Sequence, residues 1–170
     1  MTWAWLGLGS NIDAERNIRS GVAALRETFE KVVLSPIYRS SAVGFEGEDF
    51  INLVVAVQTS MSPAELHDWL REVEDRHGRR RDVPKFSDRV LDIDILIFGD
   101  LVADQPELQL PRPEILLFAH VLKPLADLSP EHELPGDGRT LARVWAEAGM
   151  DDSGLVLIDP SFLHENDKQA

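Results

Sequence analysis

The stretch VLDIDILIFG, residues 90–99, sets two carboxylates, Asp92 and Asp94, two positions apart in a run that otherwise reads as a β-strand. Side chains alternate along a strand, so Asp92, Asp94, Leu96 and Phe98 are expected on one face and Leu91, Ile93, Ile95 and Ile97 on the other. Like charges on neighbouring same-face positions repel, and burial adds to the penalty, so a compensating cation is expected. The residues just upstream offer one. RHGRRRDVPKFSDR, residues 76–89, carries Arg76, Arg79, Arg80, Arg81, Lys85 and Arg89 against Asp82 and Asp88. Two carboxylates on one face also suit Mg²⁺, which takes one or two carboxylates and completes its shell with phosphate oxygens and water. Guanidinium groups suit the phosphates, because they are permanently charged and bind two oxygens at once. Together these residues describe phosphoryl-type transfer. A solvent-facing acidic pair bridged to nearby arginines satisfies the same pattern, and on local residues alone the two readings stand level.

Other residues add less. Phe50 and Asn52 share one face of a strand, an aromatic surface beside a donor–acceptor amide, which suits a flat heterocycle and equally suits a core position for Phe50. LGLGSN, residues 6–11, is glycine-rich but matches neither G-x-G-x-x-G nor the Walker pattern, so it reads as a close-packed strand end rather than a phosphate cradle. The five histidines show no metal-ligand spacing.

The elements that must position these groups are legible from periodicity. WAWLGLGS reads as a buried strand, with Ser10, Asn11 or Asp13 available to cap the helix whose stripe is Ile18, Val22, Leu25 and Phe29. KVVLSPIYRSS and FINLVVAVQTS read as strands. SPAELHDWLREVEDRHG opens with a capping box, Ser62 to Glu65 with Pro63 at the first helical position, and Gly78 reads as its stop. With the acidic strand, the order is strand, helix, strand, strand, helix, strand. That predicts an α+β fold with a ferredoxin-like split βαβ core, an antiparallel sheet with helices on one face. A proline-punctuated extension follows Gly99, with short helices near 114–128 and 139–149. Residues 1–150 are expected to form a single domain, and residues 151–170 to be packing or tail.

The chain has 170 residues and a net charge of −13, which argues against nucleic acid or an acidic membrane as partner. No run reaches the roughly 18 apolar residues of a membrane helix, and the N-terminus lacks the pattern of a signal peptide. The expectation is a cytoplasmic monomer. With no cysteine, disulfides and thiolate chemistry are excluded.

LGLGSN, SPIYRSSAVG, DFINLVVAVQT, SPAEL, VEDRHGR, RVLDIDILIFGD, LPRPEI and VLKPLADLSPE occur in this order between about residues 4 and 135. The ordered set resembles the 6-hydroxymethyl-7,8-dihydropterin pyrophosphokinase family of folate biosynthesis. The resemblance implies transfer of the β,γ-diphosphate of ATP to the hydroxymethyl oxygen of the pterin, with release of AMP. By motif position, Asp92 and Asp94 would hold two Mg²⁺ ions brought with ATP, while Arg79 and Arg89 would neutralise charge at the attacked phosphorus. Arg81, Glu74, Phe86 and Arg112 would serve ATP. Ser40, Ser41, Val43, Phe50, Asn52 and His120 would serve the pterin.

The chain departs from the family pattern in several places. KFSDR stands where the family usually has R-W-G-P-R, so Phe86 replaces an indole and Asp88 is expected to bring negative charge beside the polyphosphate path. The turn between Gly44 and Phe50 is about one residue short. Arg112 replaces a histidine, Phe118 replaces an arginine, and His120 takes the place of the second stacking aromatic. A divergent working enzyme is the leading expectation. A paralogue that binds nucleotide or pterin as a regulatory module is the alternative.

Overall fold

The computed structural model describes residues 1–42, 44–78 and 88–168. A six-stranded antiparallel sheet is built from β1 (Thr2–Ser10), β2 (Val32–Leu34), β3 (Ile37–Ser40), β4 (Phe50–Thr59), β5 (Asp92–Phe98) and β8 (Val156–Ile158). Its order is β5-β1-β4-β3-β8, with β2 also on β4. This is the sheet of a ferredoxin-like fold, extended by one edge strand. The helices α1 (Ala14–Thr28) and α2 (Pro63–Arg76) cover one face. There Ile18, Val22, Leu25, Leu66, Leu70 and Val73 meet Leu6, Leu8, Leu53 and Ile93 in one buried cluster. The capping box of α2 is formed in both directions between Ser62 and Glu65, and Gly78 just beyond the helix takes φ +84°. Asp13 stands at the N-cap of α1 in the left-handed conformation without a side-chain cap.

The extension covers the opposite face. A short hairpin, β6 (Ala103–Gln105) and β7 (Leu108–Leu110), leads to a 3₁₀ turn at Pro113–Leu116, then to α3 (Ala119–Leu128) and α4 (Leu141–Ala148). Ile115, Leu122, Leu125, Leu141 and Val144 pack there on Trp5, Val54 and Leu96. β8 pairs with β3, and Phe162 in the closing 3₁₀ helix, Pro160–Lys168, is buried in the first core while its carbonyl accepts from Arg19 at 3.0 Å.

Two strand expectations need correction. KVVLSPIYRSS is two strands, because Pro36 has no N–H to give a ladder. Ser35 fills the break: its backbone bonds to Val54, and its hydroxyl accepts the Val54 N–H at 2.8 Å. In β5 the predicted alternation holds only as far as Leu96. The β1–β5 register shifts between Trp5 and Leu6, so Leu96 is an extra residue opposite that step. This β-bulge turns Ile97 into the same core as Leu96 and sends Phe98 to the opposite one.

Candidate active site

Strand alternation on β1 brings Trp5, Gly7 and Gly9 to the face that carries Asp92 and Asp94 on β5, where Gly9 lies opposite Asp92 and Gly7 opposite Asp94. On the other side of β1, Gly9 lies opposite Asn52 of β4. A Cβ on Gly9 would stand 2.7 Å from Asn52 Oδ1, so the missing side chain leaves room for that amide. The Asn52 Nδ2 donates to Ser40 Oγ at 3.3 Å. Above this floor opens a cavity of about 260 Å³, lined by Ser40, Ser41, Phe45, Phe50, Asn52, Arg89, Asp92, Asp94, Arg112, Glu114, Phe118 and His120. Phe45 meets Phe50 edge-on at 6.3 Å, and Phe118 stacks on His120 at 5.2 Å. Tyr38 on β3 donates its hydroxyl to Asp127 on α3, which also accepts from Lys123 at 2.8 Å, and so a strand and a helix that both line the cavity are joined.

A second cavity, of about 200 Å³, lies between α2, β5 and β7, lined by His67, Leu70, Arg71, Glu74, Glu107, Leu110 and their neighbours. The two cavities share Asp92, Asp94 and Arg112. Glu74 is buried, and its carboxylate accepts the Ile93 N–H at 2.8 Å, between the two aspartates.

The electrostatics follow from this placement. Burial and then the neighbouring Asp92 carboxylate push the Asp94 pKa up to about 8, against the lowering influence of Arg112. Arg112 pairs with Glu114 and lies 3.7 Å from Asp94; burial works against its charge, but Asp94, Glu114 and Asp92 outweigh it and raise its pKa. Burial lowers the His120 pKa, which keeps the imidazole neutral at neutral pH. Among the described residues no group of three or more His, Cys, Asp or Glu forms a closed metal cage. Two adjacent carboxylates facing a cavity, one of them strained by the other's charge, suit instead a divalent cation that arrives with phosphate oxygens of its own.

Of the residues expected from sequence, Ser40, Ser41, Phe50, Asn52, Arg89, Asp92, Asp94, Arg112 and His120 come together on the first cavity, and Glu74 on the second. Arg79, Arg81, Phe86 and Val43 lie outside the described residues. Asp88 lines neither cavity; its carboxylate accepts from Asn11 Nδ2 at 2.8 Å.

The sequence profile of the 7,8-dihydro-6-hydroxymethylpterin-pyrophosphokinase (HPPK) family matches residues 5–130. The 2-amino-4-hydroxy-6-hydroxymethyldihydropteridine pyrophosphokinase of Pseudomonas aeruginosa is 38% identical over 149 residues, covering 84% of this chain and 89% of the relative. The chain belongs to the HPPK family. The pyrophosphokinase of Bacillus subtilis is 33% identical over 158 residues, covering 88% and 94%. A crystal structure of Plasmodium falciparum HPPK-DHPS with pteroate matches the fold with a TM-score of 0.71 at 14% identity, over 86% of this chain and 42% of that one.

The HPPK fold here also brings in residues that sequence reasoning missed. Asn11, one of three residues available to cap α1, instead serves the entry to β5, where its Oδ1 accepts the Arg89 N–H at 2.7 Å. Glu114 and Phe45 line the cavity without having been singled out. The LPRPEI motif contained Glu114, two residues from Arg112, and that spacing was the available signal.

Proposed function

We propose that this chain is a working pyrophosphokinase that transfers the β,γ-diphosphate of ATP to 6-hydroxymethyl-7,8-dihydropterin and releases AMP. The observation that carries the reading is the meeting of two cavities on Asp92, Asp94 and Arg112. The first cavity suits the pterin. Phe50 and Phe45 offer apolar ring surface, Asn52 offers a donor and an acceptor to the heterocycle edge, and neutral His120 adds a second aromatic wall. The second cavity suits the nucleoside part of ATP, beside Leu70 and Glu74, so the polyphosphate crosses the shared floor.

In the reaction the hydroxymethyl oxygen bonds to the β-phosphorus and gives up its proton. The bond from that phosphorus to the bridging oxygen on the α-phosphate breaks, and its electrons leave with AMP. Such a transfer is accelerated chiefly by alignment and by fixed positive charge around the phosphoryl oxygens. Arg89, held at the mouth of β5, supplies one such charge and Arg112 a second; Arg79 and Arg81 are assigned to the same task by motif position. Asp92 and Asp94 would hold Mg²⁺, two ions in our reading, which would neutralise phosphate charge. Among the described residues no helix is long and apolar enough to cross a membrane. We place the enzyme in the cytoplasm as a monomer.

The test is AMP release from ATP, Mg²⁺ and 6-hydroxymethyl-7,8-dihydropterin by the purified chain. Asp94→Ala is expected to abolish it. AMP formation that survives this change removes the mechanism, and ligand binding without AMP release identifies a binding module instead.

A further inference from the structure

Asn11 directly follows β1 and is almost fully buried, 3% exposed, and both polar atoms of its side chain are used on other segments of the chain. Its Oδ1 accepts the Arg89 N–H at 2.7 Å. Its Nδ2 donates to the Glu48 carbonyl at 3.1 Å and to Asp88 Oδ1 at 2.8 Å. Its own backbone N–H donates to the Arg89 carbonyl at 3.0 Å. One amide therefore joins the backbone that carries Arg89 to the segment 44–49, which carries Phe45 into the wall of the first cavity. The Asp88 carboxylate completes the join. It lies where a Cβ on Gly47 would be, 2.7 Å away, and that same Cβ would stand 2.7 Å from the Phe45 ring and 3.3 Å from Asn11 Nδ2. Gly47 thus lets the segment lie directly against Asp88 and Asn11.

We propose that Asp88 and Asn11 are a positioning pair that holds the Phe45 wall in register with the backbone of Arg89, and that Asp88 thereby sets the affinity for the pterin without touching it. A charged acceptor fixes an amide more firmly than a neutral one, and it determines which way the Asn11 amide faces, since only Nδ2 can donate to it. With the amide so oriented, Oδ1 is left for the Arg89 N–H and the remaining Nδ2 hydrogen for the Glu48 carbonyl. Removing the carboxylate takes away the one charge-assisted bond of the three that fix the amide, and its hold on both other segments is loosened together. The pterin arm rests on the function proposed above, while the tie itself does not.

Two measurements on the full chain test the pair. In the ligand-free protein, Asp88→Ala is expected to speed hydrogen exchange at the Arg89 N–H by about tenfold, whereas Asp88→Asn, which keeps an acceptor oxygen, holds it near the original rate. Unchanged exchange in D88A, or equal acceleration in D88A and D88N, overturns the tie, whatever the activity of the protein. Calorimetry of 6-hydroxymethyl-7,8-dihydropterin, with a non-hydrolysable ATP analogue and Mg²⁺ present, is expected to show about tenfold weaker pterin binding in D88A, rescue in D88N, and little change in nucleotide affinity. Pterin affinity unaltered in D88A overturns the consequence for the substrate. Absence of pterin binding in the unaltered chain counts against the proposed function, and the exchange result still decides the tie. Asp88 is exposed, so a thermal midpoint near that of the parent is expected in both variants.

Discussion

Glu74 accepts the Ile93 N–H at 2.8 Å, so a carboxylate on α2 holds the backbone between the two aspartates of β5. A buried acceptor that is removed leaves its donor unpaired, at roughly 1–3 kcal/mol. Glu74→Ala is expected to lower unfolding free energy by about that amount in chemical denaturation. Glu74→Gln keeps an acceptor oxygen and is expected to lose markedly less. Equal losses in the two variants would show that the bond to Ile93 contributes nothing.

Asp94 illustrates a site that opposes its own fold. Its carboxyl pKa is raised from 3.8 to about 8, first by burial and then by Asp92. Between those values the unfolded chain has released a proton that the folded chain keeps, so folding stability falls as pH rises through the window. Asp94→Asn removes this dependence. The metal-free variant is expected to melt higher than the parent at pH 8, with the gap closing toward pH 3.8, while AMP formation is lost. A thermal midpoint at pH 8 no higher than the parent's would contradict it.

Gly9→Ala tests the floor of the first cavity. The added Cβ would meet Asn52 Oδ1 at 2.7 Å, and the amide would have to turn away from the ring it is proposed to read. The pterin KM is expected to rise about tenfold with the ATP KM little changed. Gly7→Ala serves as the comparison. Its Cβ would meet the Leu96 side chain at 3.3 to 3.5 Å, looser than the 2.7 Å at Gly9 and away from Asn52, so a smaller effect on pterin is expected.

His120 carries a pH dependence of the opposite sign to Asp94. Burial holds its folded pKa below the ordinary 6.5, so the unfolded chain takes up a proton first as pH falls. Stability attached to the neutral ring is full above 6.5 and is lost below it. His120→Phe removes that loss, so its denaturation midpoint relative to the parent is expected to improve from pH 8 to pH 5.5. A constant difference between the two proteins across that range would rule it out. His132, also lowered by burial, contributes a similar slope in both and does not affect the comparison.

The parts of this molecule that were legible from sequence are those encoded within one element. Ile18, Val22, Leu25 and Phe29 repeat at helical spacing and are all buried, and Ser62 with Glu65 forms the predicted box. Asp92 and Asp94 share a face because alternation is a property of a single strand. What was not legible depends on pairing. The extra residue at Leu96 exists only relative to β1, and the hydroxyl of Ser35 replaces a ladder bond only because β4 lies beside it. Asn11 serves Glu48, Asp88 and Arg89, which lie 37 to 78 positions away, and nothing in its neighbours announces them. β8 is three residues long, too short for a period to show.

That short strand has a consequence for the solution behaviour of the chain. Without β8, the outer edge of β3 at Ile37–Arg39 would stand open, and the pocket filled by Phe162 would expose apolar surface on α1 and its sheet face. An open strand edge next to uncovered apolar surface is a template for other chains. Shortening the chain at residue 150 would therefore favour association edge to edge, and would do so without touching any residue that lines either cavity.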